Sequence, residues 1–397
     1  MPGFELFGDL ERNELNDVLN TGVLMRYGFD GMRQGHWKAK ELETTLENTF
    51  QVNHAQLVSS GTAAISVALA VAGVGAGDEV ILPTFTFVAS FEAVMMLGAI
   101  PVLVDIDDTL TLCPNAVENA ITPKTKAIMV VHMCGSMGNM DALKTISNKH
   151  NLVLLEDACQ AIGATYKGKP LGSIGNLGCF SFDFVKTITC GEGGAVITNN
   201  KQYYINSDQF SDHGHDHIGS DRGSETHPYL GYNFRISELH AAVGLAQIKR
   251  LPEFLEIQKK NYNILRDALS QIPEVTFRTV PEGGEENYSF LNFFLPSLEI
   301  TTKVSEKFKQ NGVDACFHYY NNNWHYIRKW NHLKDLKSLF PISTEVKEGL
   351  EYLKTKTFQK SDDYIARNLS CLIKLSWTDE DVNARANKMV EAIKLAL

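Results

Sequence analysis

One lysine stands in a segment of this 397-residue chain that could support amine chemistry. Lys186 lies in FSFDFVKTITCGEGGAVIT, residues 180–198, between an aromatic, strand-like run and a glycine-rich turn. A lysine amine is protonated in water and becomes a nucleophile or a base when it is desolvated or placed beside other cations. Any single lysine is more simply explained as a surface residue at a strand end, so the neighbouring motifs must decide between these interpretations.

Two acids end a nearly all-apolar run upstream of this lysine. In LVLLEDACQAIGA, Glu156 and Asp157 follow the apolar residues, so at least one carboxylate is expected at the carboxyl edge of a strand. A buried carboxylate needs a partner. Asp157 could hydrogen-bond a protonated pyridine nitrogen, the interaction that keeps pyridoxal phosphate an electron sink. The alternative is that Asp157 caps a following helix.

A possible phosphate site and a possible ring contact precede these acids. LVSSGTAAISVALA places Gly61 and Thr62 at the start of an alanine-rich helix, whose free N–H groups and partial positive charge attract phosphate. The same residue types also cap many helices that bind nothing. Phe87, in PTFTFVAS, could cover one face of a flat ring or belong to the core.

The elements that must position these residues follow an alternating pattern. Helical spacing in GTAAISVALAVAG and FEAVMMLGA separates short apolar runs, which predicts a largely parallel sheet with helices on both faces and ligands at the carboxyl ends of the strands. The predicted strands are EVILPTFTF, AIPVLVDI, AIMVVHMCG, LVLLEDACQ, GCFSFDF and GGAVIT.

A change from a helical to a strand-like sequence pattern predicts a second domain. A long amphipathic helical pattern is broken at Pro252 and gives way to strand-like runs around EVTFRTV and SFLNFFLP. We therefore predict a large domain with an N-terminal segment over residues 1–255 and a smaller C-terminal α/β domain over residues 256–397.

Composition excludes several classes of protein. With 37 basic and 47 acidic residues the net charge is −10, which argues against binding nucleic acid or an anionic membrane. The sequence has neither a membrane-length apolar run nor the features of a signal peptide, and we expect a cytoplasmic protein. The seven cysteines include no C-x-x-C pair, so we expect them to be reduced and mainly packed in the core.

Taken together, the motifs resemble the fold type I pyridoxal-phosphate enzymes and, within them, the DegT-type sugar aminotransferases. The resemblance extends from about residue 20 to 250 and continues more loosely to the end. It implies an α/β fold of the aspartate aminotransferase type, pyridoxal 5'-phosphate as cofactor, and an amino-acid donor with an oxo-sugar acceptor as small-molecule substrates.

The resemblance assigns roles to the residues around the cofactor ring. The family pattern S-F-x-x-x-K followed by G-[DE]-G-G implies that Lys186 holds the cofactor through a Schiff base. The pattern E-D-x-x-Q-x-x-G-A implies Asp157 at the pyridine nitrogen and Gln160 at the ring face or the phenolic oxygen, and Phe87 matches the stacking aromatic. Members with histidine in place of the lysine are dehydratases, so the retained lysine favours transamination.

The resemblance also implies how the phosphate is held. The family pattern S-G-T-x-A assigns Gly61 and Thr62 to the phosphate, together with the Ser181 hydroxyl. GYNFRISELHAAVG matches a pattern whose asparagine reaches the phosphate in the neighbouring subunit. Asn233 is therefore expected to serve a second copy of the chain, which implies a homodimer with shared active sites.

Three further stretches narrow the expected acceptor: VHMCGSMGNM, FSDHGHDHIGSDRG and KSDDYIARNLSCLIKLSWTD. They are similar to the member that aminates C8 of an oxidised 3-deoxy-octulosonate. This implies L-glutamate as donor and 3,8-dideoxy-8-oxo-D-manno-octulosonate as acceptor, with the product used in lipopolysaccharide biosynthesis. A nucleotide-linked keto-deoxysugar is the alternative acceptor.

A carboxylated acceptor needs a cation, and the fork of arginine suits both carboxylate oxygens. The residues proposed for the substrate are Arg26, Tyr27, Arg222, Arg235, His318 and Trp324. Each arginine could instead form a surface ion pair. The last two residues belong to CFHYYNNNWHY, which could close over the sugar or pack the domains together.

Competing interpretations fit the sequence less well. The DHGHDH run, residues 212–217, invites a metal-dependent hydrolase, but its spacing differs from the usual pattern and no second ligand cluster follows, so no metal is predicted. A regulator that had lost catalysis would usually have replaced Lys186 and Asp157. The glycines of GVGAGDEV precede a strand, whereas those of a dinucleotide loop follow one, so they predict a helix-to-strand turn.

Overall fold

The computed structural model describes residues 2–219 and 223–397. The α-helices in this part of the chain are α1 (Asp9–Thr21), α2 (Lys38–Phe50), α3 (Gly61–Val71), α4 (Ala89–Met96), α5 (Pro114–Ala120), α6 (Met140–His150), α7 (Lys201–Ser211), α8 (Glu238–Lys249), α9 (Leu251–Leu269), α10 (Leu298–Gln310), α11 (Asn331–Lys334), α12 (Thr344–Leu350), α13 (Gln359–Arg367) and α14 (Asp379–Lys394). The strands are β1 (His54–Val58), β2 (Glu79–Pro83), β3 (Ile100–Val104), β4 (Thr125–Val131), β5 (Val153–Asp157), β6 (Thr165–Tyr166), β7 (Lys169–Pro170), β8 (Leu177–Ser181), β9 (Gly194–Thr198), β10 (Thr276–Phe277), β11 (Gly284–Glu285), β12 (Phe290–Phe294), β13 (Cys316–Phe317) and β14 (Asn368–Leu372).

A seven-stranded sheet with the order β1-β9-β8-β5-β4-β2-β3 forms the centre of the larger part. Neighbours from β8 to β3 run parallel, whereas β9 runs antiparallel to both β1 and β8. The predicted mostly parallel sheet is confirmed, and each of the six predicted runs contains a strand. β1 was not predicted, because its five residues HAQLV include two polar side chains and form only a short apolar signal.

The helices cover both faces of this sheet, as predicted. Successive residues of β2 point to opposite sides. Val80 and Leu82 belong to a core that contains side chains of α3 and α4, whereas Ile81 belongs to a core that contains side chains of α2, α6 and α8. Burial on both faces explains why the parallel strands are almost continuously apolar.

The C-terminal part has a sheet and a core of its own. Strands in the order β10-β12-β14-β13 form an antiparallel sheet, and α9, α10 and α14 share a core with it. Pro252 is the second residue of α9, where a helix needs no N–H donor, so the predicted break between two helices is present. The division proposed between residues 255 and 256 lies inside α9.

The prediction that all the cysteines are reduced is wrong for two of them. Cys316 and Cys371 form a disulfide between β13 and β14, where they are directly opposite each other. The sequence did not reveal this pairing, because 55 positions separate the two residues. The other cysteines are free, and Cys159 is the one among them that is not fully buried.

Over the described residues, no helix combines the length and the apolar character that crossing a bilayer requires.

Candidate active site

A cavity of about 740 Å³ lies at the carboxyl ends of β2, β4, β5 and β8. Phe290, Tyr319 and Leu372 of the C-terminal part line it from one side, and Pro2 and Phe4 of the N-terminal segment line it from another. The edge of a sheet at the ends of its parallel strands is the usual ligand site of α/β proteins. The cavity is therefore the candidate active site.

Asp157, the last residue of β5, is buried and lines this cavity. Its Oδ2 accepts a hydrogen bond of 2.9 Å from Ser90 Oγ, and its Oδ1 accepts one of 3.2 Å from the Cys159 backbone N–H. Ser90 Oγ also lies 2.6 Å from Thr86 Oγ1. The carboxylate is therefore held in a fixed orientation at the floor of the cavity. Sequence reasoning missed Ser90, because it is one of many serines at the start of a helix.

Glu156 precedes Asp157 and points to the other side of the sheet, as alternate residues of a strand must. It is fully buried, and His132 Nε2 lies 2.9 Å from its Oε2. Burial alone would raise the pKa of Glu156, but hydrogen bonds from His132 and from backbone N–H groups lower it. The backbone donors are those of Gly172, Ile174 and Gly175, at 2.6–2.8 Å.

Lys186 lies on a closed loop that follows β8. The loop is fastened where Phe182 N donates to Gly193 O at 2.8 Å and Cys190 N donates to Phe182 O at 2.9 Å. Gly191 has φ of 85°, a conformation that favours glycine, which explains the glycine-rich turn after the lysine. Gly3 N donates to Lys186 O at 2.9 Å, so the N-terminal segment holds this loop from outside.

Lys186 lines the same cavity as Asp157, and a histidine lies within reach of its charge. Burial, with the positive charge of Lys186 as a further cause, lowers the pKa of His325 to about 4. His325 is therefore a neutral imidazole in the cavity near neutral pH. His325 was not predicted as a site residue, although it follows Trp324 directly in the aromatic cluster CFHYYNNNWHY.

The start of α3 forms a compact polar corner of the cavity. Ser60 caps the helix by accepting a hydrogen bond from Ala63 N at 3.1 Å. A Cβ atom at Gly61 would lie 2.6 Å from Ser181 Cβ, so only glycine allows the helix to approach the end of β8 this closely. Thr62 and Ser181 line the cavity beside it. Backbone N–H groups and two hydroxyls thus converge on a space suited to a phosphate group.

Phe87 and Gln160 also line the cavity. The Phe87 ring stacks on Trp324, with centroids 5.6 Å apart and planes 8° apart. Val88 N donates to Trp324 O at 2.9 Å, which ties the segment after β2 to the C-terminal part. Gln160 Oε1 accepts a hydrogen bond of 2.9 Å from Cys134 N, so its amide N–H₂ is the end left for a ligand.

Several residues proposed for the substrate lie away from the cavity of their own chain. The Arg26 guanidinium lies 2.6 Å from Glu43 Oε1 and donates to Leu57 O at 2.9 Å. Tyr27 and Arg235 both hydrogen-bond Asp212. These side chains are committed to partners, and no arginine is found among the described residues that line the cavity.

Of the other residues proposed from the sequence, some line the cavity and others do not. Trp324 lines the cavity, whereas the ring of His318 lies 3.0 Å from Ala366 O, outside it. The neighbouring residues Phe317 and Tyr319 line the cavity instead. Asn233 is exposed and does not line the cavity of its own chain. Arg222 lies outside the described residues.

These residues fit pyridoxal phosphate. One cavity is lined by a buried carboxylate, an amine, an aromatic ring and the N-terminus of a helix that begins at a glycine. Each of these groups matches one part of that cofactor.

The model of the DegT/DnrJ/EryC1/StrS aminotransferase family matches residues 9–382. The 3-amino-5-hydroxybenzoate synthase of Amycolatopsis mediterranei is 38% identical over 285 residues, which cover 72% of this chain and 70% of that protein. The GDP-perosamine synthase of Vibrio cholerae is 30% identical over 341 residues, or 84% of this chain and 87% of that protein.

Solved structures give the same result for the fold. A crystal structure of 3-amino-5-hydroxybenzoic acid synthase superimposes with a TM-score of 0.82 at 29% identity, covering 98% of this chain and 97% of that one. The PLP form of a sugar aminotransferase from Streptococcus pneumoniae also reaches 0.82, at 25% identity and with the same coverage.

Proposed function

This chain belongs to the DegT/DnrJ/EryC1/StrS aminotransferase family, and on that premise we propose that it transfers the amino group of L-glutamate to the C8 aldehyde of 3,8-dideoxy-8-oxo-D-manno-octulosonate. It is a pyridoxal-phosphate-dependent aminotransferase of fold type I. The product, 8-amino-3,8-dideoxy-D-manno-octulosonate, would enter lipopolysaccharide biosynthesis. The observation that carries the chemistry is the convergence of Lys186 and Asp157 on one cavity.

Pyridoxal phosphate, when bound, supplies an aldehyde that carries the amino group and a ring that accepts electrons. Gly61, Thr62 and Ser181 would hold its phosphate, and Phe87 would cover one face of its ring. Asp157 would keep a proton on the pyridine nitrogen, because its carboxylate is fixed by Ser90 and faces the cavity.

Lys186 would serve as the base. Its Nζ would take the proton from Cα of the amino-acid donor and return a proton to C8 of the acceptor in the second half of the reaction. The loop that carries it is closed at both ends, which limits the positions that Nζ can reach. Neutral His325 and Trp324 would exclude water above the reacting atoms.

The proposed acceptor carries a carboxylate, which requires a cation. Apart from Lys186, the lysine or arginine that lines the cavity among the described residues is Lys374. It lies in KSDDYIARNLSCLIKLSWTD, one of the three stretches that support this acceptor. Its Nζ is 2.5 Å from Asp314 Oδ2, but an ammonium has three N–H donors, so this ion pair leaves donors for a second carboxylate in the cavity. We assign the acceptor carboxylate to Lys374 in place of the arginines proposed from the sequence.

A nucleotide-linked keto-deoxysugar is the second candidate acceptor. GDP-perosamine synthases are among the relatives of this chain, and the one from Caulobacter vibrioides is 40% identical over 221 residues, 55% of this chain and 58% of that protein.

We also propose a cytoplasmic homodimer. Asn233 is exposed and lies outside its own cavity, which supports a role at the phosphate of a second copy. Mixing two inactive variants, Lys186→Ala and Asn233→Ala, would restore part of the activity if active sites are shared between subunits.

The acceptor is tested with enzyme loaded with pyridoxamine phosphate. We expect 3,8-dideoxy-8-oxo-octulosonate to restore the visible spectrum of the pyridoxal form, whereas GDP- and dTDP-linked keto sugars do not. Restoration by the nucleotide sugars alone would overturn the acceptor and leave the aminotransferase chemistry intact. Lys374→Gln should raise KM for the carboxylated acceptor, and Lys169→Gln, at an exposed lysine of β7, is the matched control.

A further inference from the structure

A second polar cluster lies outside the cavity, in the segment that follows α7. Asp212, His215 and His217 each present one ligand atom, and these atoms all lie within 4.8 Å of one another. Asp212 Oδ2 is 2.9 Å from His217 Nε2 and 3.7 Å from His215 Nδ1. Ligand atoms around a tetrahedral zinc ion are about 3.3 Å apart, given metal bonds of about 2.0 Å. The spacing therefore suits a small cation after only slight adjustment.

The two imidazoles are oriented by outer carboxylates. Asp208 Oδ2 lies 2.7 Å from His217 Nδ1, and Glu225 pairs with His215 Nε2. Each ring thus has one nitrogen held by an outer acid and the other directed at Asp212. Metal-binding histidines usually have this arrangement, because the outer acid fixes the tautomer and the orientation of the ring.

One atom of the cluster is buried without a hydrogen bond. Among the described residues, none hydrogen-bonds His215 Nδ1, although the side chain is only 4% exposed. A buried polar atom without a partner is uncommon in native proteins and is costly. A cation bound between His215 and Asp212 would satisfy it.

The charges around the cluster favour a cation. Within the described part of the chain, Asp208, Asp212 and Glu225 contribute three carboxylates to the cluster. Arg235 pairs with Asp212, and the charge of Arg26, which is paired with Glu43, also acts on Asp208. Arg235 bonds Asp212 Oδ1, so it does not occupy Oδ2, the oxygen that faces both histidines. The Tyr27 hydroxyl also donates to Oδ2 and would remain a hydrogen-bond donor to the bound carboxylate.

We propose that Asp212, His215 and His217 bind a divalent transition-metal ion, with Zn²⁺ the best match to two imidazoles and one carboxylate. This is not the hydrolase considered from the sequence, because none of the three residues lines the cavity. The backbone of Asp212 pairs with that of Asn233 in an isolated bridge. The ion would therefore fasten the turn after α7 beside the segment that carries Asn233 and Arg235.

The test uses untagged protein dialysed against a chelator and then titrated with Zn²⁺. We expect one ion bound per chain by calorimetry and elemental analysis, and a higher melting temperature in the presence of the metal. Co²⁺ should give the visible d–d bands of nitrogen and oxygen coordination. Absence of stoichiometric binding to the wild-type chain would overturn the proposal and leave His217 as a proton-bearing bridge between Asp208 and Asp212.

Variants separate this site from incidental binding. His215→Ala and His217→Ala should abolish stoichiometric binding, and Asp208→Asn should weaken it by about 10- to 100-fold, as loss of an outer carboxylate does in other metal sites. His213→Asn is the matched control, because His213 belongs to the same run, is exposed and has φ of 59°, which asparagine tolerates. Equal affinity in His213→Asn and His215→Ala would contradict the assignment.

Discussion

Ser90 Oγ donates a hydrogen bond of 2.9 Å to Asp157 Oδ2 at the floor of the cavity. The two residues are 67 positions apart, on α4 and at the end of β5. Both are buried, so water does not compete for this bond. It fixes the plane of the carboxylate that we propose for the pyridine nitrogen.

Ser90→Ala should therefore lower kcat/KM by about 10- to 100-fold, because a hydrogen bond to a charged group contributes about 1.5–3 kcal/mol. Asp157→Asn should lower kcat/KM further, since this substitution removes the negative charge itself. Steady-state kinetics and the affinity for pyridoxal phosphate would measure both effects. Wild-type kinetics in Ser90→Ala would show that the hydroxyl does not position Asp157.

Lys186→Ala should lose turnover and the visible absorbance that bound pyridoxal phosphate gives with a lysine. The physical reason is that alanine has no amine, and the other lysine among the described lining residues, Lys374, is paired with Asp314 and lies after β14. Lys169→Ala is the control, because Lys169 is exposed on β7. Retention of normal activity by Lys186→Ala would refute the assignment of the base.

Glu156→Gln should lower the free energy of unfolding by about 3 kcal/mol, because the new amide would place a donor against backbone N–H groups in a fully buried site. Urea unfolding would measure it, with Glu299→Gln as a control at an exposed ion pair of α10 expected to change stability by less than about 1 kcal/mol. Equal effects in the two variants would contradict this role.

Because the pKa of Glu156 is lowered in the folded chain, the contribution of this residue to stability depends on pH. Its stabilising contribution is complete above the unfolded pKa of about 4.3 and is lost as the pH falls through the lower folded value. The deficit of Glu156→Gln relative to wild type should therefore shrink in acid.

His325→Gln should change the pH dependence of stability. The pKa of His325 is about 4 in the folded chain, against about 6.5 when unfolded, so protonation of the unfolded state destabilises wild type as the pH falls below about 6.5. Linkage gives a penalty of about 2 kcal/mol at pH 5 and almost none at pH 7.5. Urea unfolding at both pH values should show that the free energy of unfolding of His325→Gln, relative to wild type, is higher by this amount at pH 5 than at pH 7.5. An equal difference between variant and wild type at both pH values would contradict this role of His325.

Local patterns were enough to predict the central architecture. The apolar runs predicted six strands of the main sheet, because buried parallel strands are apolar on both faces and end abruptly. The motifs around Lys186, Asp157 and Gly61 named residues that the structure brings to one cavity. Each motif is a short segment in which the residue, the strand end and the turn are adjacent in the chain.

Contacts between segments that are distant in the chain could not be predicted, because they depend on how the whole chain packs. Ser90, His325 and Lys374 reach the cavity from α4, the aromatic cluster and the segment after β14, and no local pattern assigned any of these three side chains to the site. Cys316 and Cys371 are paired by the register of two strands. Arg26, which was predicted to bind the substrate, forms an ion pair with Glu43. Lys186, Asp157 and Gly61, and the strands that carry or precede them, could be predicted from short segments, because strand ends and turns are local. The packing of the two parts decided which of those side chains face each other, because that depends on the whole buried surface.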